Sequence, residues 1–319
     1  MTTAPIHKLT AVLPLVLLVA CGTDSAAPRL AADLQPSFSL TTAEWSTPVN
    51  VGAPVNSAAG EMNATLSPDE LSLYFTSDRA GGNGGTDIWI SQRECVGCPW
   101  QTPVNAGAPL NSPNADAGPR FSDDGHLLFF QSDRPGGVGL GDIYLTRRNN
   151  PNDDFAWGDS VLLGGDVNTA TGNEQAADYL QSAEDGSANL YFNRQTATTP
   201  PDIYYASVSR NGETRGPAVY VTELNNPTAV DQHATIRKDG RELFFSSNRA
   251  GLFDIWSSTR RSVHEPWSSP VSVAALNTAA NDMQPSLSAD GRTILFASNR
   301  PGGLGGNDLY TSTRLPSDH

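Results

Sequence analysis

One pattern occurs five times along the chain, and it limits the folds open to it. Each copy opens with an acid (Glu61, Asp116, Glu174, Asp231, Asp282), and five positions later stands an apolar residue (Leu66, Phe121, Tyr179, Ile236, Leu287). A turn centred on Asp follows: Asp69 in the first copy, then Asp124-Gly125, Asp185-Gly186, Asp239-Gly240 and Asp290-Gly291. Next comes an apolar-aromatic stretch such as Leu73-Tyr74-Phe75 or Leu243-Phe244-Phe245. It runs into Asp-Arg or Asn-Arg: Asp78-Arg79, Asp133-Arg134, Asn193-Arg194, Asn248-Arg249 and Asn299-Arg300. After a loop, each copy closes on Asp, then Ile or Leu, then Trp or Tyr. The closing Asp residues, Asp87, Asp142, Asp202, Asp254 and Asp308, lie 52–60 residues apart.

Each copy reads as three strands, with a further short strand opened by Trp45, Trp100, Trp157 or Trp267; Thr214 stands in the remaining copy. No amphipathic helical stretch interrupts the body. Four-stranded sheets repeated at such a period are the signature of a β-propeller, in which ring closure buries each sheet against its neighbours. The ends of the chain fit this reading. Trp45 to Gly52 is a lone outer strand, and the last copy, Asp282 to Arg314, lacks one. Joining them completes a fifth blade and leaves no open edge. The predicted fold is all-β: a five-bladed propeller of four-stranded antiparallel blades over residues 45–319, closed by the N-terminal strand in a one-plus-three blade.

The recurring Ser-Asp-Gly, Ser-Asp-Arg and Asp-Ile-Tyr, in that order, resemble the WD-like propeller repeat of TolB-type periplasmic proteins, over roughly residues 45–314. The resemblance implies a propeller of the bacterial envelope that binds a protein or ligand. Nothing in the chain matches the additional domain of TolB, and five blades departs from its usual number, so no specific contact carries over. Fold-level likeness also licenses no reaction.

The N-terminus reads as an address. His7 and Lys8 precede an apolar run from Leu9 to Ala20, too short to span a bilayer as a helix. Leu18-Val19-Ala20-Cys21 resembles the lipobox of bacterial lipoprotein signal peptides; the alternative is an ordinary secretory signal that contains a cysteine. On the lipobox reading, residues 1–20 are the signal peptide, Cys21 is the lipidated first residue, and residues 21–44 form a flexible tether. Gly22 after the cysteine favours outer-membrane delivery, so the body faces the periplasm or the cell surface and meets the membrane through the lipid only.

Charge narrows the partners. With 20 Lys+Arg against 34 Asp+Glu the net charge is −14, and Lys8 and Lys238 are the only lysines. No basic stripe exists to neutralise phosphates, which excludes nucleic acid and disfavours an anionic membrane surface. Cys95 and Cys98 form Cys-Val-Gly-Cys in a loop with no further metal ligands close by in sequence. In an oxidising compartment these read as a short loop disulfide, with two free thiols as the alternative.

Function is sought first at the channel. Loops between blades share a face with the second-to-third-strand loops, and Glu61, Asp116, Glu174, Asp231 and Asp282 are expected to ring the channel mouth there. Converging carboxylates repel unless something intervenes. One reading is a cation such as calcium; the other is that each acid bonds its own loop and water fills the channel. Arg79/Asp87-type pairs recur in every blade and read as structural, because a catalytic site needs one copy. The glycine-rich loops connect strand to strand, without a helix N-terminus or a Walker lysine, and read as tight turns. Symmetry breaks two positions after each acid (Asn63, Gly118, Ala176, His233, Gln284), and Arg120 and Asp178 stand at another varied position. His233 beside Asp231 and Asp178 is a candidate acid–base group. No Ser-His-Asp order, zinc-protease motif or nucleophile elbow is present.

The reading is a lipid-anchored, monomeric envelope propeller acting as a non-enzymatic protein- or glycan-binding module without a required cofactor. Its candidate ligand-binding residues are the five acids and His233. The alternative is a carbohydrate-active enzyme using a pair of channel carboxylates.

Overall fold

Apolar residues dense enough to cover both faces of each strand, cut by Asp-Gly and glycine-rich turns, give strands and no helix among the described residues. The computed structural model describes residues 45–315; the leader, Cys21, the tether and residues 316–319 lie outside them. Twenty strands make five four-stranded antiparallel sheets.

β1 (Val49–Asn50) is the first strand among the described residues and precedes blade I. Blade I is β2 (Glu61–Leu66), β3 (Ser72–Ser77), β4 (Asp87–Gln92) and β5 (Val104–Asn105). Blade II is β6 (Asp116–Phe121), β7 (Leu127–Ser132), β8 (Asp142–Arg147) and β9 (Val161–Leu162). Blade III is β10 (Asn173–Gln181), β11 (Ala188–Gln195), β12 (Asp202–Val208) and β13 (Val219–Tyr220). Blade IV is β14 (Asp231–Ile236), β15 (Glu242–Ser247), β16 (Asp254–Thr259) and β17 (Val271–Ser272). Blade V is β18 (Asp282–Leu287), β19 (Thr293–Ser298) and β20 (Asp308–Thr313), completed by β1.

The second strand of each blade feeds two seams at once, because successive side chains point to opposite faces. Leu73 and Phe75 pack toward Leu295 and Ala297 of blade V, while Tyr74 between them packs toward Leu128 and Phe130 of blade II. The same split recurs with Phe192 and Tyr191, and with Phe245 and Phe244. Five apolar clusters therefore fill the five seams between blades, and each sheet depends on both neighbours.

Closure runs through the first described residues. Val49 and Asn50 register against Thr311 and Tyr310, extended by Ser46 N–H to the Thr313 carbonyl (2.8 Å) and Val51 N–H to the Leu309 carbonyl (2.9 Å). Trp45 is buried, edge-on to Phe244 at 5.7 Å between ring centres, with the Arg314 guanidinium over its own ring at 4.5 Å. Trp45→Ala removes a large side chain from the closing blade and is expected to lower unfolding free energy by ~3–5 kcal/mol. Val49→Ala, on the exposed side of the same strand, is expected to stay within ~0.5 kcal/mol. Denaturant melts of the two variants check the pair.

Candidate functional site

Every innermost strand carries a bulge at the same place. Pairing with the second strand slips between Met62/Thr65, Ala117/Arg120, Gln175/Asp178, Gln232/Thr235 and Met283/Ser286. At each slip one residue takes a left-handed backbone: Asn63 (φ 49°), Gly118 (64°), Ala176 (54°), His233 (55°) and Gln284 (59°). The freed amides are answered across the seams. Gly118 N–H donates to Thr76 Oγ1 (3.0 Å), Ala176 to Gln131 Oε1 (3.1 Å), His233 to Asn193 Oδ1 (3.2 Å) and Gln284 to Ser246 Oγ (2.7 Å). In blade V the corresponding second-strand residue is Ala297, which has no acceptor side chain. Asn63 N–H is met instead by Gln284 Oε1 at 3.3 Å.

The five acids that open these strands are fully buried, and each joins two elements. One carboxylate oxygen accepts an amide of the loop entering the blade: Ser57, Ser112, Thr169, Asn226 or Thr278. The other accepts the arginine after the second strand. These pairs are Glu61–Arg79 (2.9 Å), Asp116–Arg134 (2.7 Å), Glu174–Arg194 (2.8 Å), Asp231–Arg249 (2.6 Å) and Asp282–Arg300 (2.5 Å). The arginines also donate to carbonyls of the same loops, Arg134 to Pro109 and Arg249 to Leu224 among them. Breaking one such pair leaves a buried charge uncompensated, a loss of ~3–5 kcal/mol.

This corrects the pairing read from sequence. Arg79 partners Glu61, whereas Asp87 accepts the amides of Asn83 (2.7 Å) and Gly84 (3.3 Å) in its own glycine-rich loop; Asp142 and Asp308 do the same. The glycines are steric requirements there: a Cβ on Gly82 would stand 2.1 Å from Asp87 Oδ2. In blade III, Arg194 lies directly opposite Asp202, the register position that serine holds in the other four blades.

A second fivefold device escaped the sequence reading. Asn56, Asn111, Asn168, Asn225 and Asn277 each clasp both the N–H and the C=O of one third-strand residue. Those residues are Leu309, Ile88, Ile143, Ile203 and Ile255. The signal was an Asn recurring five or six residues ahead of each acid.

With the acids bound to the frame, single-copy chemistry gathers at the opposite mouth, among the Asp-centred turns. A cavity of about 60 Å³ there is lined from all five innermost strands, with Thr65, Arg120, Asp178, Thr235 and Ser286 around it and Asp123 and Lys238 at its rim. Arg120 Nη1 donates to the Ala64 carbonyl of blade I (3.0 Å), and its Nη2 to the Pro285 carbonyl of blade V (3.2 Å). Its Nε lies 3.7 Å from Asp178 Oδ1 of blade III, and Asp178 Oδ2 accepts the Ile236 amide of blade IV at 3.0 Å. One arginine–aspartate pair thus touches all five blades. At the rim, Lys238 Nζ is 3.6 Å from Asp123 Oδ1.

Burial lifts the Asp178 carboxyl to about 7, with Arg120 opposing the rise and Asp123 adding to it. His233 is buried, and burial followed by the nearby Arg120 charge lowers it to about 3. It is a neutral imidazole whose Nδ1 has no protein partner. Asp231, its expected acid–base companion, is committed to Arg249 and the Asn226 amide. Among the described residues no group of three His, Cys, Asp or Glu side chains is placed to hold a metal ion. The variable loop Asn149–Asp154 is held to blade I, with Asp154 accepting Tyr74 Oη (3.0 Å), Gln92 Nε2 (2.6 Å) and Arg148 Nη1 (3.0 Å). Cys95 and Cys98 are joined in a disulfide.

The frame defines a five-bladed propeller, and solved hydrolase structures share its fold. A thermostable family-43 glycoside hydrolase is similar at 15% identity, over 83% of this chain and 93% of that one, with a TM-score of 0.58. An α-L-arabinofuranosidase from Lactobacillus brevis is similar at 12% identity, over 84% and 98%, also at 0.58. TolB from Acinetobacter baumannii is similar at 15% identity over 82% of this chain and 56% of that one, with a TM-score of 0.47. The two hydrolase likenesses speak to the fold alone. No protein-family model and no curated protein matches the chain.

The two shifted groups give stability opposite pH slopes. His233, lowered from 6.5 to about 3, contributes stability that is complete above 6.5 and lost as pH falls toward 3. Asp178, raised from 3.8 to about 7, contributes stability that is complete below 3.8 and lost as pH rises through 7. His233→Asn, the residue blade I uses at this bulge, is expected to remove up to about 3 kcal/mol of the loss between neutral pH and pH 4. Asp178→Asn is expected to remove the opposing fall, so that stability rises more steeply from pH 4 to 7 than in the parent. Urea midpoints measured across that range check both, and curves parallel to the parent contradict the assignment.

Proposed function

We propose that the chain is a non-enzymatic binding module, held in the bacterial cell envelope by a lipid on Cys21, that docks a protein or glycan at the mouth framed by Asp123 and Lys238. The observation that carries this reading is where the fivefold pattern stops. The repeated acids are all held by arginines and loop amides, while Arg120, Asp178, Asp123 and Lys238 occur once each around a single mouth. Cavity size points the same way. About 60 Å³ is room for a few waters, against roughly 300–1,000 Å³ for sites that enclose a small-molecule ligand. A partner therefore rests on this mouth and does not enter it. A rigid ring with oppositely charged rim groups suits a polar docking surface whose electrostatics select the partner.

A second reading, a carbohydrate-active enzyme, is favoured by one feature. Asp178, lifted to about 7, shares the cavity with Asp123, whose carboxyl is also raised by burial with Lys238 opposing the rise, so two carboxyls with upward-shifted titration face one cavity. Glycoside hydrolysis uses a carboxyl pair of which the acid is shifted upward. The small cavity weighs against it, because a glycosidase must seat a sugar ring between the two groups.

The test is photo-crosslinking in the native envelope from a probe at position 238, which is solvent-accessible where position 233 is buried. The binding reading predicts one dominant protein or glycan adduct that is lost in Asp123→Lys. Hydrolysis of arabino- or xylo-oligosaccharides that Asp178→Asn abolishes, with no such adduct, would replace it with the enzyme reading.

A further inference from the structure

Four of the five seams are sealed at their outer end by an indole that this chain supplies. Trp45, Trp100, Trp157 and Trp267 lie under the guanidinium groups of Arg314, Arg93, Arg148 and Arg260, at 4.5, 4.4, 4.4 and 4.1 Å from the ring centres. Each arginine is fixed by its Nε, which donates to a carbonyl of its own blade's Asp-centred turn: Gly291, Glu70, Gly125 and Gly240. Ring, cation and turn form one repeated unit, with cation–π attraction added to apolar burial.

Blade III breaks the unit. Backbone bonding puts Thr214 at the tryptophan position, since the next residue, Arg215, donates its N–H to the third strand (Ser207 carbonyl, 2.7 Å). Gln101, Gly158 and Ser268 do the same after their tryptophans. The register position of the stacking arginines is held here by Val208, paired with Ala188 and buried in the apolar cluster of the seam, while Arg210, two residues further on, is exposed and makes no hydrogen bond or ion pair among the described residues. Its guanidinium still lies by the turn glycine, with Nη2 3.4 Å from where a Cβ on Gly186 would stand. Gly212 packs its backbone on Phe129 and Leu145, filling part of the vacated space. What remains is a cavity of about 260 Å³ between blades II and III, lined by Leu145, Val161, Leu163 and Thr214 with Arg147 and Glu213 at its edge. An apolar cavity of roughly 150 Å³ is already enough to take benzene.

We infer that this seam is a binding site for a planar aromatic group, and that its occupant is a tryptophan side chain presented by a protein partner. The chain itself specifies the chemistry, because the four equivalent seams are each filled by an indole where this one has Thr214. Tryptophan is also among the side chains enriched as anchors at protein interfaces. The inference does not rest on the reading of the axial mouth, since the seam lies elsewhere and its readout is local.

The experiment is a methyl-NMR titration of the full chain with N-acetyl-tryptophanamide, N-acetyl-leucinamide and free indole, following Leu145, Val161 and Leu163. The tryptophan amide is expected to shift these methyls at least about tenfold more tightly than the leucine amide. Thr214→Trp, which restores the repeat, is expected to abolish the shifts. Should that variant fold poorly, Val161→Glu at the exposed edge is expected to weaken binding about fivefold with an unchanged melting temperature. No shift at these methyls, or equal shifts with the leucine amide, overturns the site. Binding of free indole without the tryptophan amide overturns the protein partner in favour of a small aromatic molecule.

Discussion

A propeller blade has two apolar faces and so needs a neighbour on each side, but apolar contact alone leaves sliding and rotation undetermined. What fixes them here is the hydrogen bond from each left-handed bulge amide to the preceding blade. A buried amide without a partner costs about 1–3 kcal/mol, so the bond holds each inner strand at one height relative to its neighbour. The bulge also re-aims the strand, placing Thr65, Arg120, Asp178, Thr235 and Ser286 around one cavity. Blade V shows the constraint most clearly. Where Ala297 offers no acceptor, Gln284 reaches across to satisfy Asn63.

Around that ring the repeated polar chemistry divides by scale. Acid–arginine pairs and asparagine clasps bind loops to strands inside each unit, and they recur because every unit has the same loops to hold. The Arg120–Asp178 pair occurs once and reaches all five blades, so it belongs to the ring as a whole. A group that serves a partner also needs only one copy. The axial mouth and the seam at Thr214 are both such departures, and both arise where side chains differ from those their four counterparts carry.

Much of this was legible in the sequence. The period, the turns and the unpaired first and last strands define five closed blades, and the structure has those blades with β1 joined to β20. Partner choice was harder to read. Arg79 and Asp87 bracket one loop in sequence, yet Glu61, eighteen residues upstream of Arg79, is the closer group once the bulged strand is paired. The asparagine clasps passed unnoticed because Asn in a loop is unremarkable until its partner strand is known. His233 looked titratable by residue type; burial beside Arg120, which lowers it to about 3, is a property of the fold and not of the local sequence.

The central claim is that the five acids are parts of the frame and not a ligand site. Hydrogen exchange of the intact protein, with and without calcium, tests it most directly. Loop amides held by the acids, Ser57, Ser112, Thr169, Asn226 and Thr278, are predicted to exchange only through global unfolding and to be indifferent to the ion. The turn around Asn211 is predicted to exchange quickly. Fast exchange at those five amides, slowed when calcium is added, would contradict the account and make the acids a cation site.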